Sequence, residues 1–510
     1  MHISTKLSHL KNNPHQVLFS LDLWLLAIWG FLLLGVVSRL FVYLDCQNLW
    51  LDEAFLAKSI YHTPWGQILG KPLEWDQATP LGFLLITKGL GEIFGHGEMV
   101  LRFLPFCASV ALLFVFWTIT KELLSPKWQL VAIMIFVGSK TLVYYAAEFK
   151  QYEIEALCSA ILLLAFLRGA RFSTFLLLSA VVVLFSFGGV FLICGLGAGY
   201  IYRHRQDLPH FIKQNLPAAL AFGVYFALLY FYYITPQAVP GFKQWWGSLA
   251  GFPPINPLEL VRWLSAQFLP AIGDFVLGGN ARTLWIFALL TLLGVLYIAR
   301  IQRALVAGLV CFALVYWLAG FLKLYAFAAP YSILGARLAL FWQPLFALCV
   351  ACGIAWLYEK LAKSRLGGGA NIYLFAAILL YIASISIKNN YHILTHSFPK
   401  SDMSTLILHT KNNIKPDDAL LMQHSTQSIV EYYQYRHNFH PDNIYVDTSV
   451  WAGSLLPLIQ KSKHNRVFAI LQNNNWQYIE EIKDFYPQAI HLDSGFSLFI
   501  IDKACASPAL

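Results

Sequence analysis

The chain has 510 residues, of which 58% are hydrophobic and only 12% charged, where a soluble domain carries roughly a quarter charged residues. That balance excludes an ordinary cytosolic enzyme, and apolar runs recurring from Leu21 to about Ile387 indicate a polytopic α-helical membrane protein. The net charge of +9, from 36 Lys and Arg against 27 Asp and Glu, would point to nucleic acid in a soluble chain; here its distribution reports topology.

The first residues, with Lys6, Lys11, Asn12, Asn13 and Pro14, lead into an apolar stretch without a small-residue cleavage site. It reads as a retained first span, not a signal peptide. Stretches of spanning length follow, giving eleven in all near 21–44, 99–120, 128–147, 153–168, 172–187, 189–202, 214–235, 281–299, 304–322, 338–358 and 371–387. With the N-terminus in the cytoplasm, the inner connections hold fourteen cations, among them Lys121, Lys127, Arg168, Arg171, Arg203, Arg205, Arg300 and Arg365, beside four acids. The opposite loops carry twelve acids, including Asp52, Glu53, Glu74, Glu148, Glu153, Glu155 and Asp274. The bias in Lys and Arg favours this orientation. The run from Leu81 to Phe94 is apolar but holds Lys88 and Glu92, and its helical rise of about 21 Å falls short of a core of roughly 30 Å. It is expected to lie in the outer interface as an amphipathic helix, the alternative being a short tilted span.

Eleven spans leave the C-terminal part outside. Two domains are expected: a transmembrane part, 1–388, and an extracytoplasmic α/β domain, 389–510. In the latter, short apolar or β-branched runs at Ala419 to Met422, Ile444 to Asp447, Arg466 to Leu471, Ala489 to Leu492 and Ser497 to Asp502 alternate with helical patterns at Gln427 to Arg436, Val450 to Lys461 and Trp476 to Phe485. No phosphate-cradling glycine loop is present in it, so binding or support is expected of it and not a second catalytic centre. The eight cysteines lie mostly inside apolar runs, and neither a disulfide framework nor a zinc site is inferred.

After the first span comes Asn48-Leu49-Trp50-Leu51-Asp52-Glu53-Ala54, an acidic pair opening an amphipathic stretch. Such a pair is often plain helix-dipole placement. A second acidic cluster, Glu148-Phe149-Lys150-Gln151-Tyr152-Glu153-Ile154-Glu155, falls on the same outer side at the mouth of the third and fourth spans, and ionisable groups at membrane depth usually face a cavity. Carboxylates there suit a transfer in which an ionised one takes a proton from an acceptor hydroxyl while a sugar leaves a lipid phosphate. The phosphate then needs cations or a metal. Lys150, Arg102, Lys323 and Arg337 are the cations on that side, Arg337 closing the run from Pro330; a cation at a helix end is more often an interfacial anchor. Trp245 and Trp246 lie in a long outer loop where tryptophans anchor at headgroup depth or stack on sugar.

The order of Leu49-Trp50-Leu51-Asp52-Glu53-Ala54, Thr79-Pro80-Leu81-Gly82-Phe83-Leu84-Leu85, Phe94-Gly95-His96-Gly97-Glu98 with Arg102-Phe103-Leu104-Pro105, and Tyr144-Tyr145-Ala146-Ala147-Glu148-Phe149-Lys150-Gln151-Tyr152 resembles the GT-C-fold membrane glycosyltransferases. It is most similar to their protein O-mannosyltransferase, aminoarabinose transferase and RgtA-like branch, over roughly residues 21 to 200. The resemblance implies a sugar taken from a polyprenyl-phosphate donor on the outer face and passed to a lipid, glycan or protein acceptor, usually with inversion. It implies Asp52, with Glu53 beside it, as base or orienting carboxylate and Glu148 as the second catalytic acid position. Lys150 stands where relatives commonly have Arg, so the charge is kept but bidentate geometry is lost. Tyr152, Arg102 and Arg337 complete the expected substrate contacts. Where relatives often show two prolines this chain has Thr79-Pro80. The two acidic loops are also able to hold a divalent cation, so a metal requirement stays open. The competing function is a transporter or flippase of lipid-linked glycans, in which the same groups line a pathway; no internal repeat of the kind such proteins show is visible.

Overall fold

The computed structural model describes residues 14–69, 72–73, 76–273, 281–327, 335–363, 368–396, 401–448, 453–473 and 476–503. Lys6, Lys11, Glu74, Asp274, Arg365, the run from Pro330 to Leu334 and the expected start of a helix at Val450 lie outside these residues.

In chain order the helices are α1 (Pro14–Asp45), α2 (Leu51–His62), α3 (Leu81–Phe94), α4 (Glu98–Leu123), α5 (Pro126–Val137), α6 (Lys140–Tyr145), α7 (Tyr152–Leu167), α8 (Phe172–Phe185), α9 (Gly189–Arg203) and α10 (Leu208–Leu229). There follow α11 (Pro240–Ser248), α12 (Pro257–Trp263), α13 (Ala281–Ile301), α14 (Arg303–Phe321), α15 (Gln343–Lys363) and α16 (Gly368–Thr395). The C-terminal part holds α17 (Met403–Asn413), β1 (Ala419–Gln423), α18 (Gln427–Arg436), β2 (Ile444–Asp447), α19 (Leu456–Lys461), β3 (Arg466–Gln472), α20 (Trp476–Phe485), β4 (Ile490–Asp493) and β5 (Phe496–Asp502). Among the described residues, six helical stretches are long and apolar enough to cross a membrane, at Leu23–Asp45, Glu98–Leu123, Arg205–Gln237, Arg303–Phe321, Arg337–Ala362 and Asn371–Thr395. The chain is an integral membrane protein. Helix α3 has the bounds expected of it, and the strands of the C-terminal part lie within a residue or two of theirs.

The described chain divides into two compact units. The first comprises 1–44, 79–85 and 102–397 and is helical. Its helices approach one another through glycine, as helices do in lipid where close backbone contact replaces the hydrophobic drive. A Cβ at Gly294 of α13 would collide with the carbonyl of Cys349 in α15, and one at Gly353 would strike that of Leu290. Gly195 of α9 and Gly308 of α14 face each other in the same way.

The expected span 128–147 is broken at Gly138-Ser139 into α5 and α6. Carbonyls freed in such a break are costly in lipid unless neighbours take them. Here Asn389 Nδ2 donates to Gly138 O at 2.8 Å, and Asn390 Nδ2 donates to Val137 O at 3.1 Å. Ser38 of α1 in turn donates to the Asn390 side-chain oxygen. Ser139 caps α6 by accepting from Leu142 N at 3.3 Å, and Gln343 Nε2 donates to the same hydroxyl at 2.9 Å. Helix α16 runs on to Thr395, so the boundary expected at 388/389 falls inside a helix.

The second unit comprises 45–78, 86–101 and 398–510. Its sheet has the order β2-β1-β3-β5-β4, with β2, β1 and β3 parallel and β5 antiparallel to both β3 and β4. The central strand β1 is buried throughout and reads Ala-Leu-Leu-Met-Gln, an apolar run suited to a strand covered on both faces. Right-handed crossovers on either side of β1 place α18 and α19 on opposite faces of the sheet. One face buries Ala419, Leu421, Val467, Ala469, Leu471, Phe499 and Ile501 against Leu456 and Ile459 of α19 and Ile479 and Ile482 of α20. The sequence does not disclose that α2 packs on α18 in this unit.

Candidate active site

Each unit carries one of the two acidic segments, and each is described by itself. In the second unit Asp52 and Glu53 open α2. The buried Glu53 reaches back to accept the Trp50 backbone N–H at 2.7 Å, which satisfies an orphan donor of the helix start. Asp52, one position earlier, is half-buried. The residues before the helix are pinned as well. Leu49 N donates to Tyr433 Oη at 2.8 Å, and the Asn48 amide donates to Asp402. Lys58, further along α2, pairs with Glu431 of α18 at 2.6 Å. The local sequence makes this possible: Tyr432, Tyr433 and Tyr435 supply three phenols on α18, so one helix both stacks on α2 and donates to or accepts from it.

The far end of α2 sits in an aromatic cluster. Tyr61 lies parallel to Tyr432 with centroids 5.7 Å apart and edge-on to His96 at 4.5 Å. Both tyrosine hydroxyls donate to the His96 carbonyl, at 3.2 and 3.0 Å. Burial, and then the charge of Lys88, pushes the His96 imidazole below its usual pKa. Lys88 itself is buried and donates to Ile60 O at 2.9 Å while pairing with Glu92 at 3.1 Å. The Trp65 indole N–H, donating at 2.7 Å, holds Glu92 below the usual carboxylate range, with Lys88 adding to it.

In the first unit the segment from Tyr144 to Tyr152 joins α6 to α7. Glu148 and Lys150 are both buried, and a tight turn carries Lys150 N to Glu148 O at 2.7 Å. Phe149 stacks on Phe83 at 5.7 Å, and Tyr152 packs edge-on against Tyr145 at 5.2 Å. Thr79 is drawn to the same place: its hydroxyl meets Gln151 Oε1 at 3.4 Å, its N–H donates to Gln237 Oε1 at 2.9 Å, and its carbonyl accepts from Tyr233 Oη at 2.8 Å. Residues 79–83, 148–152 and 233–237 are thereby brought together.

The second acidic cluster does not act as one group. Glu153 turns into the helix bundle towards Arg39 of α1, whose guanidinium donates to Ser109 Oγ at 2.7 Å and Gly35 O at 3.1 Å. Glu155 accepts from Phe187 N at 3.5 Å in the turn before α9. Glu155 thus braces that turn, while Glu148 and Lys150 stay on the linker between α6 and α7. Of the remaining expected cations, Arg102 is buried in α4, and Arg337 sits over the ring of Trp246 at 5.3 Å, in a turn that packs along α7. Trp246 is buried where an interfacial anchor was expected, whereas Trp245 is exposed. Sequence reasoning missed the Thr79, Tyr233 and Gln237 network and the burial of Glu153 near Arg39. An arginine inside the first apolar run was the available signal for the latter. Among the described residues, no three His, Cys, Asp or Glu side chains gather as a metal-binding group.

No family model matches the sequence, and no curated protein matches it. Solved structures do. ArnT from Cupriavidus metallidurans in the apo state superposes with a TM-score of 0.53 at 14% identity, over 94% of this chain and 99% of that one. The same protein bound to undecaprenyl phosphate gives 0.52 at 13% identity with the same coverage. The archaeal oligosaccharyltransferase AglB from Archaeoglobus fulgidus is more distant, at 0.47 and 12% identity over 94% of this chain and 76% of that one. Over 94% of its length the chain therefore shares the fold of ArnT, which is the GT-C fold that its order of motifs resembles.

Proposed function

We propose that this protein is a membrane glycosyltransferase that moves a sugar from a polyprenyl-phosphate donor to a lipid, glycan or protein acceptor on the outer face of a bacterial inner membrane. The observation that carries this is the likeness to ArnT over 94% of the chain, since ArnT has been solved with undecaprenyl phosphate bound. The buried Lys150 supports it, because an ammonium held at membrane depth on the linker between α6 and α7 is suited to meet a phosphate. Eleven spans, with the N-terminus inside and the α/β unit outside, complete the reading; the charge asymmetry of the loops supports that orientation.

In this mechanism Asp52 takes the proton of the acceptor hydroxyl. The hydroxyl oxygen forms its bond to the anomeric carbon as the bond to the phosphate oxygen breaks, and the electron pair leaves with polyprenyl phosphate. Attack opposite the leaving group inverts the anomeric centre. Lys150, Arg102 and Arg337 neutralise the leaving phosphate, Glu148 orients Lys150 and the donor, and Tyr152 lines the donor site. Glu53 contributes by holding the start of α2. A divalent cation would supply further charge for the phosphate, and transfer after exhaustive chelation decides whether one is used.

The test supplies purified protein with polyprenyl-phosphate sugar and a labelled acceptor. Free polyprenyl phosphate appearing in step with labelled product is expected. Asp52→Asn should insert and melt as the parent does while transfer falls by about 10²-fold or more. Undiminished transfer by that variant would sink the assignment, and movement of intact donor across the bilayer without cleavage would turn it into a transporter.

A further inference from the structure

Three connections meet at one end of the helical unit: residues 168–171 between α7 and α8, 204–207 between α9 and α10, and Gln302 between α13 and α14. They border an open-mouthed cavity of about 620 Å³ whose lining includes Arg168, Arg171, Arg203, His204, Asn215 and Gln302. No carboxylate lines it. Arg168 shares its charge with Glu122 at 2.9 Å, whereas among the described residues Arg171 and Arg203 have no carboxylate partner.

Arg203 and His204 are held in place. Arg203 lies over the Phe166 ring at 4.2 Å and donates to the Phe166 carbonyl at 3.1 Å. His204 stacks flat on Phe211 at 4.5 Å, and Tyr200 Oη donates to Ala170 O at 2.9 Å, fixing the turn that bears Arg171. Three guanidiniums around a concave space that no carboxylate lines are complementary to a phosphate anion.

The neighbouring helix surface says what else the ligand carries. Phe211, Gln214 and Asn215 of α10 line the cavity, and the adjoining face of the same helix shows Ile212, Leu216, Leu220, Val224 and Leu228, all exposed and spaced every fourth residue. An apolar track of that period runs the length of the helix from the rim of the cavity. A soluble phosphate has no use for it, but acyl chains do. We infer that this cavity binds the phosphate headgroup of an anionic phospholipid whose chains lie along α10. Basic pockets between membrane helices recognise such headgroups by the same chemistry. The site is separate from the residues assigned to sugar transfer, and it stands whether or not that assignment does.

Native mass spectrometry of the full chain, released from micelles containing equal amounts of phosphatidylglycerol and phosphatidylcholine, tests it. Phosphatidylglycerol should be retained preferentially, with affinity falling by about fivefold for each of Arg171→Gln and Arg203→Gln. Arg171→Lys with Arg203→Lys should keep most of the preference. Added inorganic phosphate or glycerol 3-phosphate should not displace the lipid. Equal retention of the two lipids by the parent chain, or unchanged retention in the double Gln variant, overturns the inference. Displacement by inorganic phosphate replaces the lipid with a soluble anion and equally overturns it. Should the Gln variants fail to fold, the parent chain's lipid preference and the Lys variant still decide.

Discussion

Exchanging Glu53 for Gln keeps an oxygen within reach of Trp50 N, whereas Glu53→Ala removes the acceptor of this part-buried N–H. The alanine variant should lose about 1–2 kcal/mol of stability in its denaturant midpoint, and the glutamine variant should transfer sugar at close to the parent rate. A catalytic carboxylate would give the opposite pattern, with Gln as damaging as Ala. At Lys150 the charge matters more than the shape if the group meets a phosphate. Lys150→Arg should leave the donor KM within about threefold, and Lys150→Gln should raise it about tenfold. Equal effects from the two substitutions would remove Lys150 from the donor site. The acidic pair and the Glu148–Lys150 turn were legible in sequence because charges interrupting apolar runs stand out. The division of labour between Asp52 and Glu53 was not, since it depends on which carboxylate bends back to its own backbone.

Helices were legible wherever an apolar run was long. The break of the third expected span at Gly138-Ser139 was not, because what permits it comes from Asn389 and Asn390, some 250 residues away in sequence. Asn390→Leu should leave the Val137 carbonyl without that donor and cost about 1–3 kcal/mol, read as a lower melting temperature in detergent, while Asn390→Gln recovers part of it. Close helix crossings set a stricter limit. Gly353→Val puts a branched side chain against the Leu290 backbone, and overpacking of that kind typically costs 1–3 kcal/mol where side chains can yield. Here the first side-chain carbon already meets backbone, so the yield of folded, monodisperse protein should fall well below the parent's for Gly353→Ser and Gly353→Val alike.

Across the molecule, periodicity identified the α/β unit strand by strand, but not its extent. Residues 45–78 and 86–101 belong to it in space because the tyrosines of α18 receive α2, a fit of surfaces that no local pattern encodes. The pH response of this unit follows from its histidines. Burial first, and neighbouring cations after it, lower the pKa of His96, His437 and His491 from the ordinary 6.5. In the unfolded chain these groups take up protons near that value, while in the folded unit they resist doing so, so stability is lost as pH falls through 6.5 and the loss ends below their folded values. The melting temperature of the protein should therefore drop between about pH 7.5 and pH 5.5, and His437→Gln with His491→Gln should flatten the drop. A melting temperature that rises on acidification over that interval contradicts the burial of these imidazoles.

The two asparagines near the end of α16 also decide where the polypeptide can be cut. Composition changes at about residue 388, and a shortened chain ending there keeps every apolar run. It would lose both amides and strip Val137 and Gly138 of their donors in the middle of the bundle, upstream of the turn that bears Glu148. Trimming that stops after Thr395 spares those bonds, so two truncations only a few residues apart should differ sharply in how well the remaining helices hold together.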